Sequence, residues 1–184
     1  PFTQYENYYS FSLWFKSTTT SGDNGARIIS RDASEFPSVI LHQGDSSPQT
    51  IDFYEATGTN SGSASVNEWH HLAFSIDVGQ NESKLYLDGE LIATGGYNDS
   101  TQQKPYVIGG NTEGDGDISG NHFVGKIDDV RLYDHVLSAK EVTQLSQAKV
   151  LHYTFDNTLS EIQSTFEGGS TGNWNINNAY IHSD

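Results

Sequence analysis

The chain has 184 residues, no Cys, no Met, and 9 Lys+Arg against 24 Asp+Glu, a formal charge of −15. That length suits one domain whose core needs no covalent staple. Zero Cys excludes disulfides, cysteine-ligated zinc and thiol catalysis, and the acidic balance argues against nucleic acid or an anionic membrane as partner. No apolar run reaches the ~18–20 residues of a membrane span, and no signal-peptide pattern is visible, so membrane insertion is not expected. A chain without Met does not open at a start codon and is expected to be an excised part of a larger protein. Aliphatic content is low, but 10 Tyr and 9 Phe fall in alternating runs that a disordered chain would not show.

In chain order, residues 9–16 alternate. Tyr9, Phe11, Leu13 and Phe15 share one face of a strand, and Ser10, Ser12, Trp14 and Lys16 the other. A Ser/Thr/Gly loop, 17–25, follows. Short strands are predicted at 27–30, 38–42 and 51–54, and a longer one at 69–77. Residues 84–87 and 90–93 flank Asp88-Gly89, the strongest hairpin signal in the chain. A strand at 106–109 leads into a Gly/Asp-rich loop, 110–121, and a strand at 122–133 returns. One helix is predicted near 138–147. Ser138 and Glu141 have capping-box spacing, and Leu137, Val142 and Leu145 can face a core. Residues 150–155 read as another strand, and the Asn/Ser/Gly-rich tail carries weak strands near 173–176 and 179–182. Ten or more short strands with one helix predict an all-β, two-sheet antiparallel jelly-roll sandwich.

Four segments in order carry a resemblance. They are Phe11-Ser12-Leu13-Trp14-Phe15-Lys16, Glu68-Trp69-His70-His71-Leu72-Ala73, Leu85-Tyr86-Leu87-Asp88-Gly89-Glu90-Leu91, and residues 123–133 leading into 137–142. Together they resemble the laminin-G-like, concanavalin A-like and pentraxin-related jelly-roll domains. The resemblance implies two curved antiparallel sheets, an extracellular setting, glycan or protein binding, and often Ca²⁺. Such domains usually open with a strand like Leu151-His152-Tyr153-Thr154-Phe155-Asp156, which here stands near the C-terminus. Two explanations fit: circular permutation, or a tandem array cut in a shifted frame. The first is preferred. It makes 1–184 a single domain in which residues 149–184 supply the strands that normally come first.

Glucanases of this fold carry two carboxylates on one strand face, at i and i+2 or i+4, across the scissile bond. No strand segment has that arrangement. Asp128 and Asp129 are adjacent and expected on opposite faces, and Asp115-Gly116-Asp117 lies in a loop. No nucleophile elbow or phosphate loop is present. Ca²⁺ takes six to eight hard oxygen ligands. Asp128 matches the acidic position of the family's last main strand, and Asp156 and Asn157 end its proposed permuted neighbour. Asp115 and Asp117 form a second candidate, against the plainer reading of a solvated loop. His70 and His71 point opposite ways on their strand and cannot chelate together.

Sugar rings stack on aromatic faces while amides and carboxylates take their hydroxyls. By the resemblance, Trp14 and Trp69 belong to the core. Trp174, in a polar setting, is the leading candidate stacker, followed by Tyr54 and Tyr97, with Asn111 and Asn121 as hydroxyl partners. The expected role is binding without catalysis. The chain reads as a carbohydrate-binding or adhesive module for a glycan or cell-surface polysaccharide, with Ca²⁺ as a structural ion. It would be part of a larger extracellular, cell-surface or virion-associated protein such as a phage tail or adhesin, open to oligomer formation. A structural or protein-binding module and a glycoside hydrolase or polysaccharide lyase are the alternatives.

Overall fold

The computed structural model describes residues 8–30, 37–44, 47–54, 58–97, 106–111 and 120–147. All fall within one compact unit, Pro1–Leu151. The expectation for residues 149–184 lies outside the described residues.

Ten strands and one helix are described: β1 (Tyr8–Ser17), β2 (Ala26–Ser30), β3 (Val39–Leu41), β4 (Gln49–Phe53), β5 (Gly58–Ala64), β6 (His70–Asp77), β7 (Glu82–Leu87), β8 (Glu90–Gly95), β9 (Val107–Ile108), β10 (Gly125–Tyr133) and α1 (Ala139–Gln147). They form two five-stranded antiparallel sheets. One runs β10-β1-β6-β7-β8 and the other β5-β4-β3-β2-β9. This is the predicted sandwich. The inward side chains interdigitate between the sheets: Phe11, Leu13, Phe15, Phe74 and Leu85 from the first, and Ile28, Val39, Leu41, Ile51 and Phe53 from the second. The Phe74 ring stacks on Phe11 at 5.2 Å and meets Phe53 at 6.1 Å, so it joins the two layers.

The period-2 reading of β1 holds, and it explains the tryptophans. Trp14 shares the outer face with Ser12, packs against His71 at 5.3 Å, and is half-buried rather than part of the inner core. Trp69 is half-buried as well. Both depart from the core placement that the resemblance implied. The outer face of β1 is not bare, however. Ser10 is fully buried because the segment after β10 folds over it. Its hydroxyl donates to His135 O (2.7 Å), accepts from Leu137 N–H (3.0 Å) and lies 3.0 Å from Ser75 Oγ. Leu137 and Val142 of that segment and α1 then pack on Ala73 and Tyr86, a second small core on the outside of the first sheet.

The capping box forms as read. Ser138 Oγ accepts from Glu141 N–H (3.3 Å), and Glu141 Oε2 takes Ser138 N–H (2.8 Å). The β7–β8 hairpin turns at Asp88 and Gly89, with φ of 52° and 92°, the left-handed pair that a two-residue primed turn requires. A Cβ on Gly89 would stand 2.7 Å from Ser146 Oγ, so α1 rests directly on this turn.

Two features escape the sequence. Strand β5 is polar and glycine-rich, with no strand propensity of its own. It forms because β4 offers it a ladder, Gln49 opposite Ala64 and Ile51 opposite Gly62. Strand β10 carries a bulge: Asp128 stands opposite Trp14 but Arg131 opposite Ser12, with Asp129 at φ 50°. Asp129 binds Arg131 through both carboxylate oxygens, each at 2.8 Å. Trp14 and Ser12 share the outer face, so the bulge sets Asp128 and Asp129 on that one face. The expectation of opposite faces is corrected, because the extra residue breaks the alternation.

Candidate ligand-binding face

Strands β2, β3 and β4 are apolar on the inside. At their centres, on the outside, they carry one cross-strand row, Arg27 opposite Ile40 opposite Asp52. Arg27 is 8% exposed and Asp52 5%, deep for charged side chains. Asp52 Oδ2 lies 2.8 Å from His42 Nε2, and the His42 ring is partly exposed at the rim. Arg27 Nη1 donates to Ser38 Oγ at 2.8 Å. The guanidinium lies 5.3 Å from the centroid of the Tyr54 ring, and Tyr54 itself is 45% exposed. Burial lowers the pKa of Arg27 from its ordinary value, because desolvation penalises the cation. Arg27 Nε is buried and makes no hydrogen bond.

This floor is chemically equipped for a polar ligand with an apolar flank. The exposed Tyr54 ring offers a stacking face. His42, Asp52 and Arg27 offer donors and acceptors in a low-dielectric setting, where each hydrogen bond is stronger than in water.

The sequence candidates distribute unevenly around it. Tyr54 is on this face. Asn121 joins it only through its backbone: its carbonyl takes Arg27 N–H at 2.9 Å, while its side chain lies over Gly25. Asn111 follows β9, the edge strand beside β2 in the same sheet, and is 3% exposed, with Oδ1 buried and unbonded. Tyr97 is elsewhere. It packs on the inner core beside a shallow polar depression of ≈ 480 Å³ lined by Gln80, Asn81, Glu82, Thr94, Gly95 and Gly96. Asn81 Oδ1 takes Tyr97 N–H at 3.1 Å. Asp128 lies on the opposite sheet, where its Oδ1 takes Asp129 N–H at 2.9 Å. Trp174, Asp115, Asp117, Asp156 and Asn157 lie outside the described residues. Among the described residues, no group of three or more His, Cys, Asp or Glu is placed to hold a metal ion. The calcium expectation joins Asp128 to Asp156 and Asn157, and so lies in part outside the described residues.

Arg27, Ser38, His42 and Asp52 were not read as site residues. The signal was available: Arg27 and Asp52 are charges at the centres of otherwise apolar strands, where alternation sends them outward together.

A model of the concanavalin A-like lectin/glucanases superfamily, laminin-G type, matches residues 2–143. The chain belongs to this family. Its sandwich is similar to that of a heptameric SAP-like pentraxin from Limulus polyphemus, at 12% identity over 78% of this chain and 71% of the pentraxin, with TM-score 0.57. It is similar also to a protein from Bacteroides ovatus whose carbohydrate binding has been proposed, at 14% identity, 78% and 42% coverage, and TM-score 0.57. A third likeness is to a Trypanosoma rangeli sialidase mutant with trans-sialidase activity, at 14% identity, 77% and 23% coverage, and TM-score 0.54. This laminin-G-like chain thus spans less than half of the last two proteins. At these identities the likeness is one of fold. No curated protein matches the chain in sequence.

Proposed function

We propose that this laminin-G-like domain is a non-catalytic carbohydrate-binding module, and that it binds through the outer face of the β2–β3–β4 sheet. The observation that carries the reading is the half-exposed Tyr54 ring set over buried Arg27, beside the Asp52–His42 pair. An aromatic platform beside fixed polar groups suits a sugar, which has an apolar ring face and hydroxyl edges. The non-catalytic reading is supported by five described carboxylates that are engaged by other groups: Asp52 with His42, Asp77 with Gln80 N–H, Asp88 with His70, Glu82 with Lys84, and Asp129 with Arg131. A hydrolytic pair would need two carboxylates converging on one groove at about 5–10 Å. The adhesive, extracellular or virion-associated setting is part of the same proposal, as is a structural Ca²⁺.

The test is titration of a glycan panel into the full chain and into Tyr54→Ala, with Ca²⁺ and with EDTA. Tyr54→Ala is expected to weaken binding by up to ~10-fold while the fold is kept, since an aromatic contact contributes about 0.5–1.5 kcal/mol beyond the area it buries. Wild-type affinity in Tyr54→Ala refutes this face, and binding unchanged by EDTA removes calcium from it. A second reading, a protein-binding module, is favoured by Val130 and Leu132, each 41% exposed on β10. It gains if no glycan binds and light scattering shows self-association.

A further inference from the structure

A buried charge is ordinarily paired with an opposite one, because desolvation costs several kcal/mol that only a close counter-ion offsets. Among the described residues Arg27 has no carboxylate partner. Its contacts are a hydroxyl, Ser38 Oγ at 2.8 Å, and an aromatic ring, Tyr54 at 5.3 Å, and its Nε–H is closed from water without an acceptor. Asp52 stands in the same cross-strand row, but Ile40 separates the two and the Asp52 carboxylate is turned to His42. The Tyr54 ring occupies the face of the guanidinium. What remains is its edge, where Nε is one prong of the fork that grips a carboxylate or sulfate in its plane.

We infer that the ligand of this face is an anionic saccharide, whose carboxylate or sulfate ester supplies the acceptor that Arg27 Nε lacks. The inference rests on the glycan-binding reading above and names the class of glycan. The chain's charge of −15 repels anions at long range, so affinity has to come from the local fork, not from the general field. Because Nε is closed in the free chain, binding includes a side-chain opening at the floor. An unpaired buried cation is also a stability cost that a binding site tolerates and a purely structural residue would not. Arg27 is therefore expected to be a liability in the free protein and an asset in the complex.

The experiment titrates the full chain with three probes: trigalacturonic acid, a sulfated chondroitin disaccharide, and neutral galactotriose. Binding of one or both acidic probes is expected, at least 10-fold tighter than the neutral one. Arg27→Gln is expected to abolish that preference, and Arg27→Met to melt no lower than the wild type. If the variants do not fold, the Arg27 Nε–H resonance of the wild-type chain is followed during titration, and it is expected to shift on adding an acidic probe. Neutral binding equal to or tighter than acidic, an acidic preference kept in Arg27→Gln, or an unmoved Nε–H resonance at saturation overturns the inference and leaves the glycan reading standing. Failure of every probe and of the wider panel overturns both. The two acidic arms separate a carboxylate from a sulfate as the group that is read.

Discussion

Asp88 performs three tasks at once in the β7–β8 turn, and replacing it separates them. Its Oδ1 accepts His71 N–H at 2.8 Å, its Oδ2 lies 2.7 Å from His70 Nδ1, and its backbone holds φ 52°. Asp88→Ala leaves a partly buried amide without an acceptor, at about 1–3 kcal/mol. It also forces a left-handed conformation on a residue that cannot bond locally, for about 1 kcal/mol more. The His70 contact adds less than ~1 kcal/mol, because Asp88 is 48% exposed and solvent screens the pair. The expected total is about 3 kcal/mol, or roughly 6–12 °C in melting temperature. Asp88→Asn keeps the left-handed preference and one acceptor, and removes mainly the charge. It is expected to lose less than ~1 kcal/mol, and that loss depends on pH. The bond to Asp88, ahead of the opposing desolvation, raises the pKa of His70 above its ordinary value. His70 Nε2 lies 3.0 Å from Ser65 N and 3.2 Å from Ser65 O, so the neutral ring accepts from the first and the protonated ring donates to the second. A raised folded pKa stabilises fully below the unfolded value near 6.5, and that contribution vanishes as pH rises through the folded value. The gap between wild type and Asp88→Asn should therefore be widest below pH 6.5 and close above the folded pKa. Thermal melts between pH 5.5 and 9 read it. A gap that widens with rising pH, or equal losses for Asn and Ala at every pH, would refute the reasoning.

Two further outcomes follow from buried polar groups. Ser10→Ala strands the Leu137 N–H beneath the segment that leads into α1, and is expected to cost about 2–3 kcal/mol by urea denaturation. A loss under ~0.5 kcal/mol would mean that water takes over the site. His71 has the opposite sign to His70. Burial, at 2% exposure, pushes its pKa down to about 4, so the unfolded chain binds the proton first as pH falls from 6.5. Stability is expected to fall by about 3 kcal/mol between pH 7 and 4 from this residue. In His71→Phe, which keeps a ring against Trp14, that part of the slope disappears; an unchanged slope refutes the assignment.

The alternation of Tyr9, Phe11, Leu13 and Phe15, the Asp88-Gly89 turn and the Ser138/Glu141 cap were legible because each is set by neighbours a few residues away. They determine the strands, the hairpin, the helix and, in sum, the sandwich. Strand β5 was not legible, because Gly58–Ala64 has no pattern of its own and takes its conformation from the exposed edge of β4. The bulge at Asp129 was hidden for a related reason: register belongs to the pair of strands, and one extra residue turns Asp128 and Asp129 onto one face.

The site divides in the same way. Tyr54 was named from its residue type and setting. Arg27 and Asp52 stand 25 positions apart and read singly as ordinary charges, until pairing through β3 sets them in one row. The sequence determined which residues face outward on each strand. Only the tertiary structure decided that one of those outward charges is buried with no counter-ion among the described residues, because burial and pairing depend on atoms brought together from different strands.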